Sequence, residues 1–394
     1  MREPDVSKRI QSLQELVAPL FDFFGRIEAR RTEMEGDFSD FVAGNPQEMA
    51  SGPYVDALRR WSQPLSPDWF AYKLSMPDAQ AAAAASLRER LGIPFEPSDV
   101  CLTNAAIAAL AVAIRTVADE GDEVVIVRPP HFLYEPLIMA AGARAVRVDV
   151  VPRTFDLDVD AVAGALTPRT RAVIVNTPHN PTGKVFPPET LKRLASVLEA
   201  APGGRTVYLL SDEAYNRIVF DGRPFTSPAA YYPNTMLIYS YGKQLLAPSE
   251  RIGYIALPPT MPGREEVRMA IMTAQLATGY AFPNGVLQHA LADLEQISVD
   301  MDLMQRRRDH MVAALREMGY ELHVPEATFY LLVRSPIPDD LAFTDLLAEE
   351  RVLVMPGSML EAPGFFRISL TASDDMIERA LPGFAAAMKR AVER

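Results

Sequence analysis

Cysteine is nearly absent from this chain of 394 residues, and long apolar runs are absent altogether. Cys101 is the only cysteine, which excludes an internal disulfide and any metal site built from several cysteines. The longest apolar run, residues 105–114, ends at Arg115 and is well short of the roughly 20 residues that span a bilayer. Residues 1–5 are charged and have no apolar signal core behind them. We therefore expect a cytoplasmic protein that does not enter a membrane.

Signals of several common protein classes are missing as well. The net charge of −12 argues against a nucleic-acid partner, because a phosphate backbone attracts basic surfaces. The five histidines show no metal-ligand spacing, so no metal site is predicted. The absence of a G-x-G-x-x-G motif disfavours a dinucleotide oxidoreductase. Ser240 and Lys243 form an S-x-x-K pair, but the Ser-Asp-Asn and Lys-Thr-Gly elements of penicillin-binding hydrolases are missing.

The middle of the chain alternates between short apolar runs and helical segments. Strands are predicted at residues 123–127, 145–150, 171–175, 207–210, 236–239 and 252–256, and helices at 104–118, 133–141, 158–166 and 188–200. Apolar runs of four or five residues between helices are typical of strands buried on both faces. This pattern predicts an α/β fold in which helices cover a mainly parallel sheet.

The two ends of the chain have a different pattern, with longer predicted helices and fewer predicted strands. Helical spacing predicts helices at residues 5–31 and 78–91, and long helices follow at 261–280, 283–296 and 299–318. Strands are then predicted near 328–333, 351–355 and 365–370, with a last helix from 373. We therefore expect a large domain at residues 48–295 and a smaller α+β domain formed by residues 1–47 and 296–394.

Three charged residues occupy positions where a surface role is unusual. Asp212 follows a buried strand, where a carboxylate faces the ligand crevice of an open α/β sheet, although a turn-forming aspartate would explain it too. Lys243 also follows a buried strand, with Arg251 eight positions later. Arg367 lies inside the apolar segment 365–370, and a guanidinium there is costly unless it is paired, which favours a ligand role.

Together these residues form an ordered set of motifs. The set consists of Asn180-Pro181-Thr182-Gly183, Asp212-Glu213-Ala214-Tyr215, and Ser240-x-x-Lys243 followed by Arg251. It resembles the fold type I aminotransferases of class I/II, the aspartate aminotransferase type. The resemblance implies the pyridoxal-phosphate-dependent transferase fold, pyridoxal 5'-phosphate as cofactor, and amino transfer from an α-amino acid to a 2-oxo acid. It also implies a homodimer with shared active sites.

The resemblance assigns the catalytic roles to three residues. Lys243 would hold the cofactor as a Schiff base and then move a proton between carbon atoms. Asp212 would keep the pyridine nitrogen protonated, so that the ring accepts electrons. Tyr215 would hydrogen-bond the ring hydroxyl together with Asn180. These assignments need the residues to meet at one site.

The resemblance also assigns binding roles. For the cofactor it implies phosphate contacts from Arg251, Ser240 and the backbone of Ala105, Ala106 and Ile107, a stacked ring from Phe132, and Tyr72 reaching across a dimer interface. For the substrate it implies that Arg367 and Asn180 bind the α-carboxylate and that the loop at Gly44 closes over it. Core packing would also explain the aromatic residues Phe132 and Tyr72.

Other chemistries of the same cofactor stay open at this point. β-Elimination, decarboxylation and oxygen-dependent oxidation begin from the same bound amino acid. Departures from common family patterns, at Ala105-Ala106, Gly242 and Pro248-Ser249-Glu250, point to a specialised biosynthetic enzyme. A non-catalytic cofactor-binding module is disfavoured, since Lys243, Asp212 and Arg367 are all present. The sequence does not identify the substrate side chain, and Tyr134, Glu135 and Tyr330 have no assigned role.

Overall fold

The computed structural model describes residues 6–393, in which three sheets are formed. The charged segment at residues 1–5 and residue 394 lie outside the described part of the chain. In chain order the strands are β1 (Ser39–Asp40), β2 (Val100–Thr103), β3 (Glu123–Arg128), β4 (Arg144–Asp149), β5 (Thr170–Asn176), β6 (Tyr208–Asp212), β7 (Thr235–Ser240), β8 (Gly253–Ala256), β9 (Tyr330–Arg334), β10 (Val352–Leu353), β11 (Met355–Pro356) and β12 (Phe365–Ser369).

The α-helices surround these sheets. They are α1 (Lys8–Glu33), α2 (Gly52–Trp61), α3 (Pro77–Leu91), α4 (Ala105–Val117), α5 (Tyr134–Ala140), α6 (Val159–Ala165), α7 (Pro188–Glu199), α8 (Tyr241–Gln244), α9 (Arg264–Thr278), α10 (Gly285–His289), α11 (Leu291–Glu295), α12 (Met301–Glu317), α13 (Asp340–Glu349) and α14 (Asp374–Val392). Among residues 6–393, no helix has both the length and the apolar character needed to cross a membrane.

The large sheet has the strand order β2-β8-β7-β6-β5-β3-β4. Neighbouring strands from β4 to β7 run parallel, whereas β8 is antiparallel to both of its neighbours, β7 and β2. The start of β8 therefore lies at the same edge as the ends of the other strands. The predicted mainly parallel sheet is confirmed.

Both faces of this sheet are buried, because side chains alternate between them along each strand. Val124 and Ile126 of β3 belong to the core that contains α4 and α5. Val125 and Val127 belong to the core on the opposite face, with α6 and α7. This two-sided burial explains why the strands are continuous apolar runs in the sequence.

The smaller unit is built around β11-β12-β9, an antiparallel sheet, and the β1-β10 parallel pair. Helices α12, α13 and α14 cover these strands, with Phe343, Phe366 and Phe384 in the shared core. Phe23 and Ile27 of α1 pack in a neighbouring apolar cluster. We propose the domain division 48–295 and 1–47 with 296–394, because the large sheet and the small sheets lie in different parts of the chain.

The predicted elements differ from the structure in a few places. The helix predicted at 283–296 is two short helices, α10 and α11, which meet at Ala290. The strand predicted near 351–355 is two strands of two residues each, β10 and β11, which belong to different sheets. Helices α2 and α13 were not predicted, although Asp339 caps α13 by accepting a hydrogen bond from the Ala342 amide.

Candidate active site

Strand register brings the polar motif residues to one edge of the large sheet. Asn176, the last residue of β5, pairs with Asp212, the last residue of β6. Ser240 at the end of β7 pairs with Gly253 at the start of β8, which in turn pairs with Thr103 at the end of β2. The carboxyl-end edge of an open α/β sheet is where such folds bind ligands.

A cavity opens at this edge, and we call it the reaction cavity. Its wall includes seven of the residues singled out in the sequence: Ala106, Ile107, Asp212, Tyr215, Ser240, Lys243 and Arg251. His131, Ala214, Gly242 and Pro248 complete the lining. Residues from five separate chain segments therefore meet around one space.

Asp212 is buried in the wall of this cavity and is held by several donors. The Tyr134 hydroxyl donates to Asp212 Oδ2 at 2.5 Å, and the Ala214 amide donates to Oδ1 at 3.3 Å. The Asn176 side-chain amide donates to the Asp212 carbonyl at 2.9 Å. Burial raises the pKa of Asp212, whereas the Tyr134 and Ala214 hydrogen bonds and the charge of Lys243 lower it; the net shift is upward. A cation placed beside this carboxylate would favour its ionised form.

Lys243 follows β7 within the short helix α8 and is half-buried. Its Nζ lies 5.7 Å from the Tyr215 ring centre and 5.8 Å from the Phe329 ring centre. Within residues 6–393 it forms no ion pair. Gly242 packs tightly here, since an added Cβ would lie 3.1 Å from Pro248 Cα and 3.2 Å from the Ala247 carbonyl oxygen. The amine is thus available to a ligand.

Arg367 lies in β12 and is only 3% exposed. Its Nη1 donates to Asn180 Oδ1 at 3.2 Å and its Nη2 to the Val42 carbonyl at 3.0 Å, while Nε has no partner. The guanidinium also lies 4.1 Å from the Tyr330 ring centre. Within the described chain this buried cation therefore has only uncharged partners.

Tyr330 connects this cation to the rest of the site. Its ring packs edge-on against Tyr215, with ring centres 6.0 Å apart. Burial raises the pKa of Tyr330, whereas the charges of Lys243 and Arg367 and the hydrogen bonds from Tyr215 and the Gly44 backbone lower it; the net shift is downward. A Cβ on Gly44 would lie 2.3 Å from the Tyr330 hydroxyl oxygen. The loop at Gly44 can therefore approach Tyr330 only because residue 44 has no side chain.

The cavity wall also contains the candidate anion-binding groups. Arg251 donates a hydrogen bond to the Pro248 carbonyl and has no carboxylate partner in the described chain. Ala106 and Ile107 line the cavity in the first turn of α4, but Ala105 does not. Ala105 has a positive φ of 65° and lies under β8, where a Cβ on Gly253 would be 2.9 Å from Ala105 Cα.

Phe132 does not line the reaction cavity. Its ring packs beside an apolar cluster that includes Phe23 and Val42, and the neighbouring His131 lines the cavity in its place. Desolvation and the charges of Lys243 and Arg367 lower the pKa of His131 to about 3, so its imidazole is neutral at pH 7. Nothing about the residue type marks His131 in the sequence, because a histidine there is equally compatible with a surface loop.

A second histidine fixes the segment that carries His131. His179 Nε2 lies 3.0 Å from the Pro129 carbonyl oxygen and its Nδ1 lies 2.8 Å from Thr182 Oγ1. Burial lowers the pKa of His179 to about 4. A neutral imidazole therefore joins the loop before α5 to the turn that contains Asn180.

Tyr72 lies outside the reaction cavity and is 88% exposed. Its ring packs at 5.0 Å, centre to centre, against Phe282. Phe70, Leu74 and Tyr280 are also exposed. Within the described residues of a single chain, Tyr72 is therefore not part of the cavity wall.

Comparison with known proteins places this geometry in a family. Residues 73–384 match the family "Aminotransferase class I and II". The aspartate/prephenate aminotransferase of Thermus thermophilus is 29% identical over 380 residues, which cover 93% of this chain and 95% of that protein. A crystal structure of an aminotransferase from Eubacterium rectale superposes with a TM-score of 0.91 at 28% identity and covers 98% of this chain and 99% of that one. The aspartate aminotransferase of Thermotoga maritima superposes with a TM-score of 0.84 at 26% identity, covering 96% and 99%.

The polar groups of the cavity fit the cofactor of that family. Pyridoxal phosphate presents an aldehyde, a basic ring nitrogen and a phosphate. Within residues 6–393, the cavity offers a lysine amine without an acidic partner, a buried carboxylate and an arginine whose hydrogen bond goes to an uncharged carbonyl. The chain therefore belongs to the class I and II aminotransferases and is a pyridoxal-phosphate-dependent enzyme that transfers an amino group between amino acids and keto acids.

Proposed function

We propose that the reaction cavity carries out this transfer with Lys243 as the reacting amine, Asp212 as the partner of the cofactor ring nitrogen, and Arg367 as the binding group for the substrate α-carboxylate. The observation that carries the proposal is the buried guanidinium of Arg367, which has only uncharged partners in residues 6–393. An uncompensated buried charge costs several kcal/mol. A bound carboxylate removes that cost, and a planar guanidinium matches it with two parallel hydrogen bonds.

The residues that would hold the cofactor fall into two groups. Arg251 and the Ser240 hydroxyl would bind its phosphate, together with backbone N–H groups in the first turn of α4, where the helix dipole favours an anion. Asp212 would face the ring nitrogen, and the Tyr215 hydroxyl would reach the ring oxygen together with Asn180. When bound, the cofactor supplies an aldehyde that condenses with amines and a ring that withdraws electrons.

Lys243 would then act as the proton carrier. Its Nζ would take the proton from the substrate Cα and return it to the neighbouring carbon of the cofactor. Because no acidic side chain of the described residues holds the amine, which lies near the Tyr215 and Phe329 rings, it is free to move between these two positions. Arg367 and Asn180 would fix the carboxylate, so that the Cα–H bond faces the amine.

The test is the covalent attachment of the cofactor. We expect Lys243→Ala to lose the visible absorbance of lysine-bound cofactor, while Lys192→Ala, an exposed lysine, keeps it. The measurement is the absorption spectrum before and after borohydride reduction, followed by peptide mapping. A borohydride-reducible band that persists in Lys243→Ala would assign the attachment to another lysine and end the proposal.

We also propose that the active enzyme is a cytoplasmic homodimer in which Tyr72 completes the site of the other subunit. The support is an exposed aromatic surface formed by Phe70 (63% exposed), Tyr72 (88%) and Phe282 (48%). Contiguous exposed apolar surface in a water-soluble enzyme indicates an interface. Around a two-fold axis the same surface serves both subunits.

A further inference from the structure

A second, larger cavity lies beside the reaction cavity. Its volume is about 310 Å³, at the lower end of the range for small-molecule sites, ~300–1,000 Å³. The wall consists mainly of apolar side chains from α1, from the first turn of α5 and the segment before it, and from residues 358–361. The principal ones are Leu16, Leu20, Phe132, Pro136, Met359 and Leu360. We call this space the apolar chamber.

The apolar chamber and the reaction cavity share a wall. His131 lines both of them. Val42 provides a second connection, because its carbonyl accepts a hydrogen bond from Arg367 at 3.0 Å and its side chain packs in the cluster that contains Phe132 and Met359. A molecule whose carboxylate is bound at Arg367 therefore has the chamber beside it.

The charges at the chamber disfavour an acidic occupant. Among residues 6–393, Arg147 is the only cationic side chain in the chamber wall. It forms an ion pair with Glu135 and a second one, of 2.9 Å, with Glu361. Two carboxylates thus surround one guanidinium, which leaves this corner with a net negative charge. A substrate carboxylate placed here would have no free cation to pair with and would be repelled by the surplus glutamate.

We propose that the apolar chamber receives the side chain of the amino donor and that this donor carries a large uncharged apolar side chain, of the leucine, methionine or phenylalanine type, rather than a second carboxylate. The inference rests on the proposed function, since it takes Arg367 as the carboxylate-binding residue. It goes beyond it by naming the substrate class. In an apolar pocket, each additional buried methylene of the substrate raises kcat/KM by roughly 10-fold or more.

The first experiment measures the half-reaction of the holoenzyme with single amino acids. We expect kcat/KM for leucine, methionine or phenylalanine to exceed that for alanine and for aspartate by at least about 10-fold. If aspartate or glutamate reacts faster than all three, the inference is wrong while the proposed function stands. If no amino acid changes the cofactor spectrum, the proposed function fails and the inference falls with it.

The second experiment measures binding without chemistry. Calorimetry of the holoenzyme with 4-methylpentanoate and with succinate compares an apolar and an acidic extension on the same carboxylate. We expect the apolar acid to bind at least about 10-fold more tightly. Equal binding, or tighter binding of succinate, would overturn the inference even in an enzyme that turns over.

A pair of variants on α1 locates the effect. Leu20 lines the chamber, whereas its neighbour Phe21 is 68% exposed. We expect Leu20→Ala to lower kcat/KM for leucine by about 10-fold and to change that for alanine much less, because alanine leaves the chamber empty. Phe21→Ala should change neither value. Equal losses for both substrates in Leu20→Ala would indicate damaged folding and contradict the assignment.

Discussion

Arg367 is deeply buried and has uncharged partners. We therefore expect its replacement to lower activity without lowering stability. Replacing it by glutamine removes the cation that would bind the substrate carboxylate. We therefore expect kcat/KM to fall roughly 100-fold, which corresponds to a loss of about 3 kcal/mol of transition-state stabilisation. The same change removes an uncompensated buried charge, so the melting temperature should stay the same or rise. Steady-state kinetics and thermal unfolding measure the two effects.

The control for this prediction is Arg334→Gln. Arg334 lies in the neighbouring part of β9, is exposed, and pairs with Glu321 at the surface. Its loss should leave both quantities nearly unchanged. A large fall in melting temperature in Arg367→Gln would show that the guanidinium is a structural rather than a substrate-binding group.

Glu213 gives a pH-dependent prediction. It is fully buried and accepts hydrogen bonds from Ser211 at 2.9 Å, Ser227 at 2.5 Å and Asn216 at 3.3 Å. Burial raises its pKa to about 7, even though these hydrogen bonds and the charge of Arg90 lower it. The folded-state pKa lies above the unfolded value of about 4.3, so the folded state favours the protonated form.

The sign follows from this difference. Its contribution to stability is complete below the unfolded pKa and is lost as the pH rises through about 7. We expect the free energy of unfolding to fall by up to about 4 kcal/mol across that interval, and Glu213→Gln to remove most of this slope. Denaturant unfolding at a series of pH values measures it, with the exposed Glu321→Gln as control. An unchanged slope in Glu213→Gln would contradict the burial argument.

The site residues that could be predicted from the sequence are those whose type is unusual in its context. Lys243 and Arg251 after a buried strand, and Arg367 within one, fall in this group. His131 and Tyr330 could not be found this way, since histidines and tyrosines are common in loops and strands alike. Their positions depend on which segments pack together, and no local pattern contains that information.

At the scale of elements, the first turn of α4 holds an alanine in a left-handed conformation. Ala105 has a φ of 65°, which is unfavourable by roughly 1–2 kcal/mol for a residue with a Cβ. Glycine relieves this strain but makes the unfolded chain more flexible, so we expect Ala105→Gly to be neutral or stabilising by up to about 1 kcal/mol. Ala113→Gly, in the middle of the same helix, should cost about 1 kcal/mol. Equal destabilisation of both variants in denaturant titrations would refute the argument.

The elements themselves were predictable to different degrees. Strands β3, β5, β6 and β7 are apolar runs long enough to stand out. The structure extends β3, β5 and β7 by one or two residues, whereas β6 begins one residue later than predicted and ends two residues later. Strands β10 and β11 have two residues each, too few to show any period. The interruption between α10 and α11 lies at Ala290, so no glycine or proline marks it in the sequence. It arises from packing, which a single-sequence pattern does not contain.

At the scale of the whole molecule, the dimer proposal predicts complementation between two inactive variants. A Tyr72→Phe chain and a Lys243→Ala chain each lack one group. If Tyr72 serves the partner's site, mixed dimers contain one intact site, so mixing the two proteins after mild dissociation should restore activity. Sedimentation should show dimers throughout.

The alternative arrangement gives a different result. If Tyr72 served the site of its own chain, every mixed site would lack a group and activity would not recover. A stable active monomer would also contradict the proposal. The matched control is Tyr231→Phe, a half-buried tyrosine whose ring lies near Lys192, mixed with the same Lys243→Ala chain. Tyr231→Phe should be active before mixing.

The α/β fold was predictable because strands that are buried on both faces of a sheet are continuous apolar runs in the sequence. The meeting of α1 with the segment before α5, which creates the apolar chamber, was not. That contact joins residues more than 100 positions apart, and half-buried side chains such as Leu16 and Leu20 are compatible with many helix neighbours.

Because β8 runs in the reversed direction, we expect insertions into the chain to be tolerated differently at the two edges of the large sheet. Because of that reversal, Arg251 reaches the same edge as Lys243 through a connection of seven residues, and lengthening this connection would separate the two side chains. The opposite edge carries the exposed turn at Gly204, where an added Cβ would meet nothing within 4 Å. A tag, a reporter peptide or new chain termini introduced there would sit on the far side of the sheet from the chemistry.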